Sequence, residues 1–338
     1  MSAVEEVVTE APAVEAVPKR AMTLGYGTSL VVLALLLLVP LVVKNFIIFQ
    51  MTMLLIYGLA VLALNILTGG SGQFSLGQSA FYAIGAYTSA ILMEQYNVNY
   101  ALTLPVAGVI CFAAGFLFGQ PALRLSGVYL ALATFALATA MPQLLKLGFF
   151  EKWTGGVQGL VVTKPDAPFG LPMSQDMWLY YFTLVVTLAI YIFSVNLLKS
   201  RSGRAFMAIR DNEIAASAMG IDVSLYKTLA FGVSAGITGV AGALGAIAVQ
   251  FVAPDSYTIT LAISLFLGMV VGGVGWLPGS FVGAAFIIFV PNIAEGISKG
   301  LSGAVFGVLL FLVIFLVPHG ARQVAMVAQH LLGKLKKN

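Results

Sequence analysis

The chain has 338 residues, 60% of them hydrophobic and 9% charged, with a mean hydropathy of +0.99 and a formal charge of +4. Soluble domains carry about 25% charged residues, so this composition excludes a soluble globular protein and describes an integral membrane protein. The basic residues sit at the ends of apolar segments rather than in a patch, which removes a nucleic-acid reading. The single cysteine, Cys111, excludes an intrachain disulfide and a cysteine metal cluster.

Residues 1–22 are rich in Ala, Val, Glu and Pro and read as a disordered cytoplasmic tail. Their acidic start is unlike the basic start of a cleaved signal peptide. A spanning helix needs roughly 20 predominantly apolar residues. Runs of that kind fall at 24–43, 46–68, 76–93, 101–120, 127–147, 178–198, 226–251, 258–275, 279–297 and 301–317. The expected fold is therefore an all-α integral membrane bundle of about ten transmembrane helices over 23–320, followed by a basic cytoplasmic tail at 321–338. Only Lys44-Asn45 separates the first two runs, and 76–93 is short enough for a broken or re-entrant element.

The positive-inside rule orients the bundle. With both termini inside, the cytoplasm receives Lys19, Arg20, Arg124, Lys199, Arg201, Arg204, Arg210, Lys227, Arg322, Lys334, Lys336 and Lys337. The outside receives Lys44, Lys146, Lys152, Lys164 and Lys299. Twelve against five favours ten spans with an N-in, C-in topology.

From the end of the second of these runs onward, three polar or glycine-rich pieces stand out. Gly70, Gly72 and Gly77 loosen the stretch from 69 to 78, where Gln73, Ser75, Gln78 and Ser79 supply neutral hydrogen-bonding groups, with Tyr82 one turn further on. Non-helical backbone at membrane depth is tolerated where it lines a water-filled cavity, so these residues are pathway candidates; close helix packing around Gly85 and Ala86 accounts for the same small residues. Residues 148–177 form an external loop in which Trp153, Thr154, Gly155 and Gly156 either contact an extracytoplasmic partner or serve as a connector with an interfacial Trp. Glycine-rich breaks at Gly69-Gly70-Ser71-Gly72, Gly155-Gly156 and Gly272-Gly273-Val274-Gly275 have the look of an internal duplication.

The third piece, 200–222, is a polar interruption between two long apolar runs, with Arg201, Arg204 and Arg210 along its first half and Lys199 just before it. Asp211 suits a helix N-cap, residues 212–219 follow as two turns, and Gly220 suits the left-handed closing position. Ile214 with Ala218 and Ala215 with Met219 are i,i+4 pairs giving the helix an apolar side. Eight residues do not make a helix that is stable alone in water, so it packs either on its own bundle or into a groove on a cytoplasmic partner.

Several motifs together resemble the branched-chain amino acid permease family of ABC importers. They are Gly203-Arg204-Ala205 through Ala208-Ile209-Arg210-Asp211-Asn212-Glu213 to Met219-Gly220-Ile221, Leu64-Asn65-Ile66-Leu67-Thr68-Gly69-Gly70 with Ser75-Leu76-Gly77-Gln78-Ser79-Ala80-Phe81-Tyr82, Trp153-Thr154-Gly155-Gly156, and Gly272-Gly273-Val274-Gly275-Trp276-Leu277-Pro278-Gly279. The likeness runs in order over residues 30–320. It implies a coupling helix seated in a cleft of an ATPase subunit, with Arg210, Asp211 and Glu213 pairing with the partner. Ile214, Ala215 and Ala218 then supply contact area, and Gly220 lets the chain turn back. It also implies a multi-pass protein of a bacterial-type inner membrane, a second permease subunit, two ATPase subunits and an extracytoplasmic substrate-binding protein. The implied cargo is Leu, Ile, Val or similar amino acids, while related permeases carry urea, short amides or aromatic acids. Gln78 departs from the family, many of whose members carry histidine there.

The sequence holds no G-x-x-x-x-G-K-[ST] loop, so ATP is expected on partner subunits, with no cofactor, metal or catalytic residue on this chain. An ion-coupled secondary transporter is the alternative of a different class. Proton-coupled carriers keep acids or histidines inside the membrane, and the centres of these runs hold essentially none. His319 and His330 read as surface residues, and Glu295 as interfacial.

Overall fold

In the computed structural model the described residues are 34, 36–40, 43–122, 125, 127–168, 173–297 and the single positions 307, 308, 311 and 315. The expected spans 24–43 and 301–317 fall largely outside them, as do both tails, His319 and His330. The other eight expected spans coincide with helices, and the protein is an all-α polytopic membrane protein. In chain order the spans begin with α1 (Asn45–Asn65), which runs into a π-helical segment (Ile66–Gly70), then α2 (Gln78–Glu94), α3 (Tyr100–Ala122) and α4 (Val128–Leu145). The external connection holds a short α5 (Gly148–Thr154) and strand β1 (Leu160–Val161). Next come α6 (Gln175–Lys199), α7 (Arg201–Asp211), α8 (Glu213–Ala218), α9 (Val223–Val249), strand β2 (Phe251–Val252), a 3-10 turn (Pro254–Tyr257), α10 (Ile259–Gly272) and α11 (Gly279–Ile297). Among the described residues, six stretches are long and apolar enough to cross a membrane, among them Asn45–Gly70, Val223–Val249 and Pro254–Gly272. Residues 78–94, the region expected to be short, form one unbroken helix of 17 residues.

Polar helix ends appear where the sequence supplies a side-chain acceptor. Ser174 caps α6 by accepting from the Met177 N–H, Ser200 caps α7 through Gly203, and Asp222 caps α9 through Leu225. Between those ends the spans are apolar all round, and in α3 small residues mark the face that turns inward. In α3 the buried line is Thr103, Ala107, Cys111, Gly115 and Gly119, while Leu102, Val106, Val109, Ile110 and Leu117 face outward. Lipid is as apolar as leucine, so small residues gain more from close helix contact than from exposure.

The centre of the bundle is α9, buried along most of its length and packed chiefly on α3, α2 and α1. Its glycines make this possible. Gly239 lies against the Gly85 backbone of α2, and a Cβ there would overlap the Cys111 side chain of α3. Around this core, α10 and α11 form a hairpin on α1, and α6 packs on its other side.

Long-range contacts sort the connections to two ends. At one end, β1 pairs antiparallel with β2, Leu160 opposite Val252, and Lys146 pairs with Asp255 of the 3-10 turn at 2.6 Å. At the other end gather the π-helical segment, α7, α8 and the turn between α10 and α11.

Candidate functional site

The segment 200–222 folds as two helices rather than one. α7 is capped by Ser200 and buries Phe206 and Ile209 against the bundle, and Asp211 is its last residue. The cap of the next helix is Asn212, whose Oδ1 accepts from the Ala215 N–H at 3.0 Å, one position later than the expected Asp211. The chain turns sharply at Asn212, where the backbone is extended (φ −162°), and an Asn side chain there fills the cap that Asp211 would need that same conformation to fill. The closing position is as expected. Gly220 adopts φ +81°, with Gly220 N–H on Ser217 O at 2.9 Å and Ile221 N–H on Ala216 O at 3.1 Å. This is a Schellman closure, which favours glycine because a Cβ strains the left-handed backbone.

α8 presents itself outward. Ala216 is its one buried side chain, while Ile214 is 84% exposed and Met219 is 83% exposed, with Ala215, Ser217 and Ala218 exposed between them. The polar side chains of the segment are used differently from the sequence expectation. Arg210 Nη1 donates to the Gly69 carbonyl at 2.7 Å, and its Nε and Nη2 donate to Asp211 Oδ1 at 3.1 and 3.0 Å. Glu213 forms an ion pair with Lys227 in the first turns of α9. Arg210 and Glu213 therefore hold α7 and α8 onto the spans, and Asp211, 68% exposed, is the freer charge.

Below this segment lies the glycine-rich break. Gln73 Nε2 donates to Ser71 Oγ at 3.0 Å and to the Lys227 carbonyl at 3.1 Å. Ser75 Oγ accepts from the Gly77 N–H. Gln78 is saturated by α9: its Nε2 donates to Ser234 Oγ at 2.9 Å and its Oε1 accepts from Thr238 Oγ1 at 2.7 Å. Ser234 in turn donates to the Ala63 carbonyl, joining α1, α2 and α9 through one polar chain. Ser79 is fully buried and its Oγ has no hydrogen-bond partner among the described residues. Tyr82 is stacked on Tyr57 and tilted against Tyr257, with centroids at 6.3 and 5.8 Å. All five sequence-derived pathway residues are thus buried inside the single chain, and four have their polar or aromatic groups engaged within it.

The Trp153-Thr154-Gly155-Gly156 motif closes α5 at the opposite end. Thr154 is buried, its Oγ1 donating to Leu145 O or Phe150 O and accepting from the Gly156 N–H. Gly155 and Gly156 both have positive φ, and Gly155 abuts the Gly159 carbonyl, which leads directly into β1. Trp153 is 44% exposed, with its carbonyl and that of Lys152 accepting from Gln95. Of the glycine-rich breaks, the first and third meet in space at Gly69 and Gly275, and the second lies here.

One functional candidate escaped sequence reasoning. Asn65, the last residue of α1, is buried and spends its whole amide on the α10–α11 turn. Its Nδ2 shares two N–H donors among Gly273 O, Trp276 O and Ser280 Oγ at 3.1–3.3 Å, and its Oδ1 accepts from the Gly275 N–H at 2.6 Å. A lone Asn inside an apolar run was the available signal.

The family described as the branched-chain amino acid transport system permease component matches residues 46–317. The high-affinity branched-chain amino acid transport system permease protein LivM of Salmonella typhimurium is 35% identical over 247 residues, covering 66% of this chain and 58% of that protein. The probable branched-chain amino acid transport permease protein LivH of Methanocaldococcus jannaschii is 25% identical over 219 residues, 63% of this chain and 69% of LivH. The autoinducer 2 import system permease protein LsrC of Salmonella paratyphi B is 27% identical over 245 residues, 68% of this chain and 67% of LsrC. The match therefore spans a little under three fifths of the length of LivM. No solved structure matches. The matched region takes in the π-helical break, the paired helices α7 and α8 and the α10–α11 turn, and by it the chain belongs to the family of permease components of branched-chain amino acid transport systems.

Proposed function

We propose that this chain is the translocating subunit of an ATP-driven importer for branched-chain or closely related amino acids, with ATP hydrolysed by two separate subunits. The observation that carries this reading is α8: a six-residue, doubly capped helix that offers Ile214, Ala215, Ala218 and Met219 outward while Arg210 and Glu213 tie it to the spans. Six residues do not hold a helix in water by themselves. Exposed apolar side chains on such a helix fit a cleft in a partner, and the rigid ties behind it transmit the partner's movement. In this reading Asp211 pairs with the ATPase, and Arg210 and Glu213 act from behind the contact.

The topology that accompanies it is ten spans in a bacterial inner membrane with both termini and α8 in the cytoplasm, supported by the charge bias and by the alternation of connections between two ends. A second, homologous permease completes the pathway, a reading supported by likeness to both LivM and LivH. Gln73, Ser75, Gln78, Ser79 and Tyr82 then frame the pathway from within this chain, and the turn at Trp153 to Gly156 offers Trp153 to the binding protein that delivers cargo. Branched-chain amino acids are favoured by the matched family and by LivM, although likeness to LsrC extends to a permease named for a different cargo. Ion-coupled transport is disfavoured because no acidic residue occupies the middle of a described span.

The test is uptake of labelled leucine into proteoliposomes holding this chain with its neighbouring permease, ATPase and binding-protein partners. Uptake that needs ATP and the binding protein supports the reading. Uptake driven by a sodium or proton gradient without ATP overturns it.

A further inference from the structure

Gly69 occupies a meeting point. It lies in the π-helical segment that ends α1, where its carbonyl accepts from Arg210 of α7. On its other side a Cβ would meet the Gly275 nitrogen at 2.5 Å and Asn65 Oδ1 at 2.6 Å, so the α10–α11 turn presses directly on it. Asn65, one turn earlier, fixes that turn through both ends of its amide, Nδ2 towards Gly273 O and Trp276 O and Oδ1 on the Gly275 N–H. The neighbouring Gly72 has φ +73° and packs on the aliphatic stem of Arg210. Two connections far apart in sequence thus bear on one short stretch, one through Arg210 and one through Asn65. A π-helical turn has looser backbone pairing than an α-helix and recurs at functional positions.

We infer that Asn65 and Arg210 are positioning residues that make the π-helical end of α1 a shared anchor, so that a displacement of α8 reaches α10 and α11 through Gly69. The inference rests on the transport reading above and adds a route to it: the α10–α11 hairpin moves with the α8 segment, while α7 alone would move only α6 and α9. The side-chain chemistry fits the role. Asn presents donors and an acceptor on one short amide, as the turn's carbonyls and N–H require. Arg spans the distance to a backbone carbonyl while its other nitrogens stay on Asp211.

The experiment reads the linkage first without transport. Spin labels on Ser217→Cys and Val274→Cys, both exposed positions, are measured in the assembled complex in a Cys111→Ala background. The parent gives a narrow distance distribution. Arg210→Ala and Asn65→Ala each broaden it, Arg210→Lys broadens it less because one donor still reaches Gly69, and Arg204→Ala, which loses only a bond to the Lys199 carbonyl, leaves it unchanged. In proteoliposomes the two alanine variants lower uptake per ATP hydrolysed by about tenfold, within the span reported for residues along a coupling route. Because both act through one anchor, the double variant is no worse than about threefold below the weaker single variant. An unchanged distance distribution in both alanine variants overturns the inference, as does an uptake-to-hydrolysis ratio equal to the parent's. If the parent shows no ATP-driven uptake while the distances behave as stated, the transport reading fails and the anchor stands.

Discussion

Replacing Gln78 with leucine separates a pathway role from a packing role. The Gln78 amide makes two buried hydrogen bonds, to Ser234 and from Thr238. Leucine has nearly the same volume, so no cavity opens. Neither hydroxyl is left without a partner: Ser234 Oγ donates to Ala63 O at 2.8 Å, and the single Thr238 proton, released from Gln78, turns to Ser234 O at 2.9 Å. No donor is orphaned, and the cost is the net worth of two side-chain bonds between spans. Such bonds average about 0.6 kcal/mol and reach about 1.7 in membrane proteins, giving about 1–2 kcal/mol for Gln78→Leu. Unfolding of the purified complex in increasing denaturing detergent measures this, and a double-mutant cycle with Ser234→Ala should return a coupling of about 0.6 kcal/mol. Gln78→His, whose neutral ring keeps one donor and one acceptor, should lose less than leucine does. Leucine uptake at saturating binding protein should keep its KM. A raised KM with undiminished stability would refute this reasoning and return Gln78 to direct contact with cargo.

Other substitutions probe separate parts of the structure. Gly239→Val forces a side chain into Cys111 and towards the Ala107 carbonyl, and should cost about 3 kcal/mol or prevent assembly, seen as loss of the folded fraction in detergent. Gly220→Ala keeps the fold but strains the φ +81° closure of α8 by about 1 kcal/mol, read as faster amide exchange over residues 213–221. Thr154→Ala removes the hydroxyl that bonds Leu145 or Phe150 and holds Gly156. It should loosen residues 153–160 by about 1–2 kcal/mol, detected as proteolysis near Trp153 with α9 still protected.

Much of this arrangement was legible in the sequence because membrane spans announce themselves by length and polarity. The helices at eight of the expected spans, the interruption at 200–222 and the left-handed Gly220 all follow from local rules. What the sequence hid depends on who meets whom. Asp211 and Asn212 are both good caps, and only the packing of Phe206 and Ile209 decides that α7 runs one residue further before the chain turns. Arg210 looks like a surface charge in a polar segment, yet its reach to Gly69 is set by the depth of the break at the end of α1. The likeness of the glycine-rich breaks gave no sign that two of them meet in space, Gly69 against Gly275. Strands β1 and β2 are two residues each, too short to leave a period-2 signal.

If the outward face of α8 is the seat of an ATPase, Ile214 loses its access to solvent when that subunit binds. With Ile214→Cys in a Cys111→Ala background, the rate of labelling by a maleimide is compared in inverted membrane vesicles with and without the ATPase subunits. A side chain 84% exposed in the isolated chain should label quickly alone and at least about tenfold more slowly once the ATPase is bound, as expected for a residue buried at the centre of an interface. Equal labelling rates in the two preparations would contradict the account.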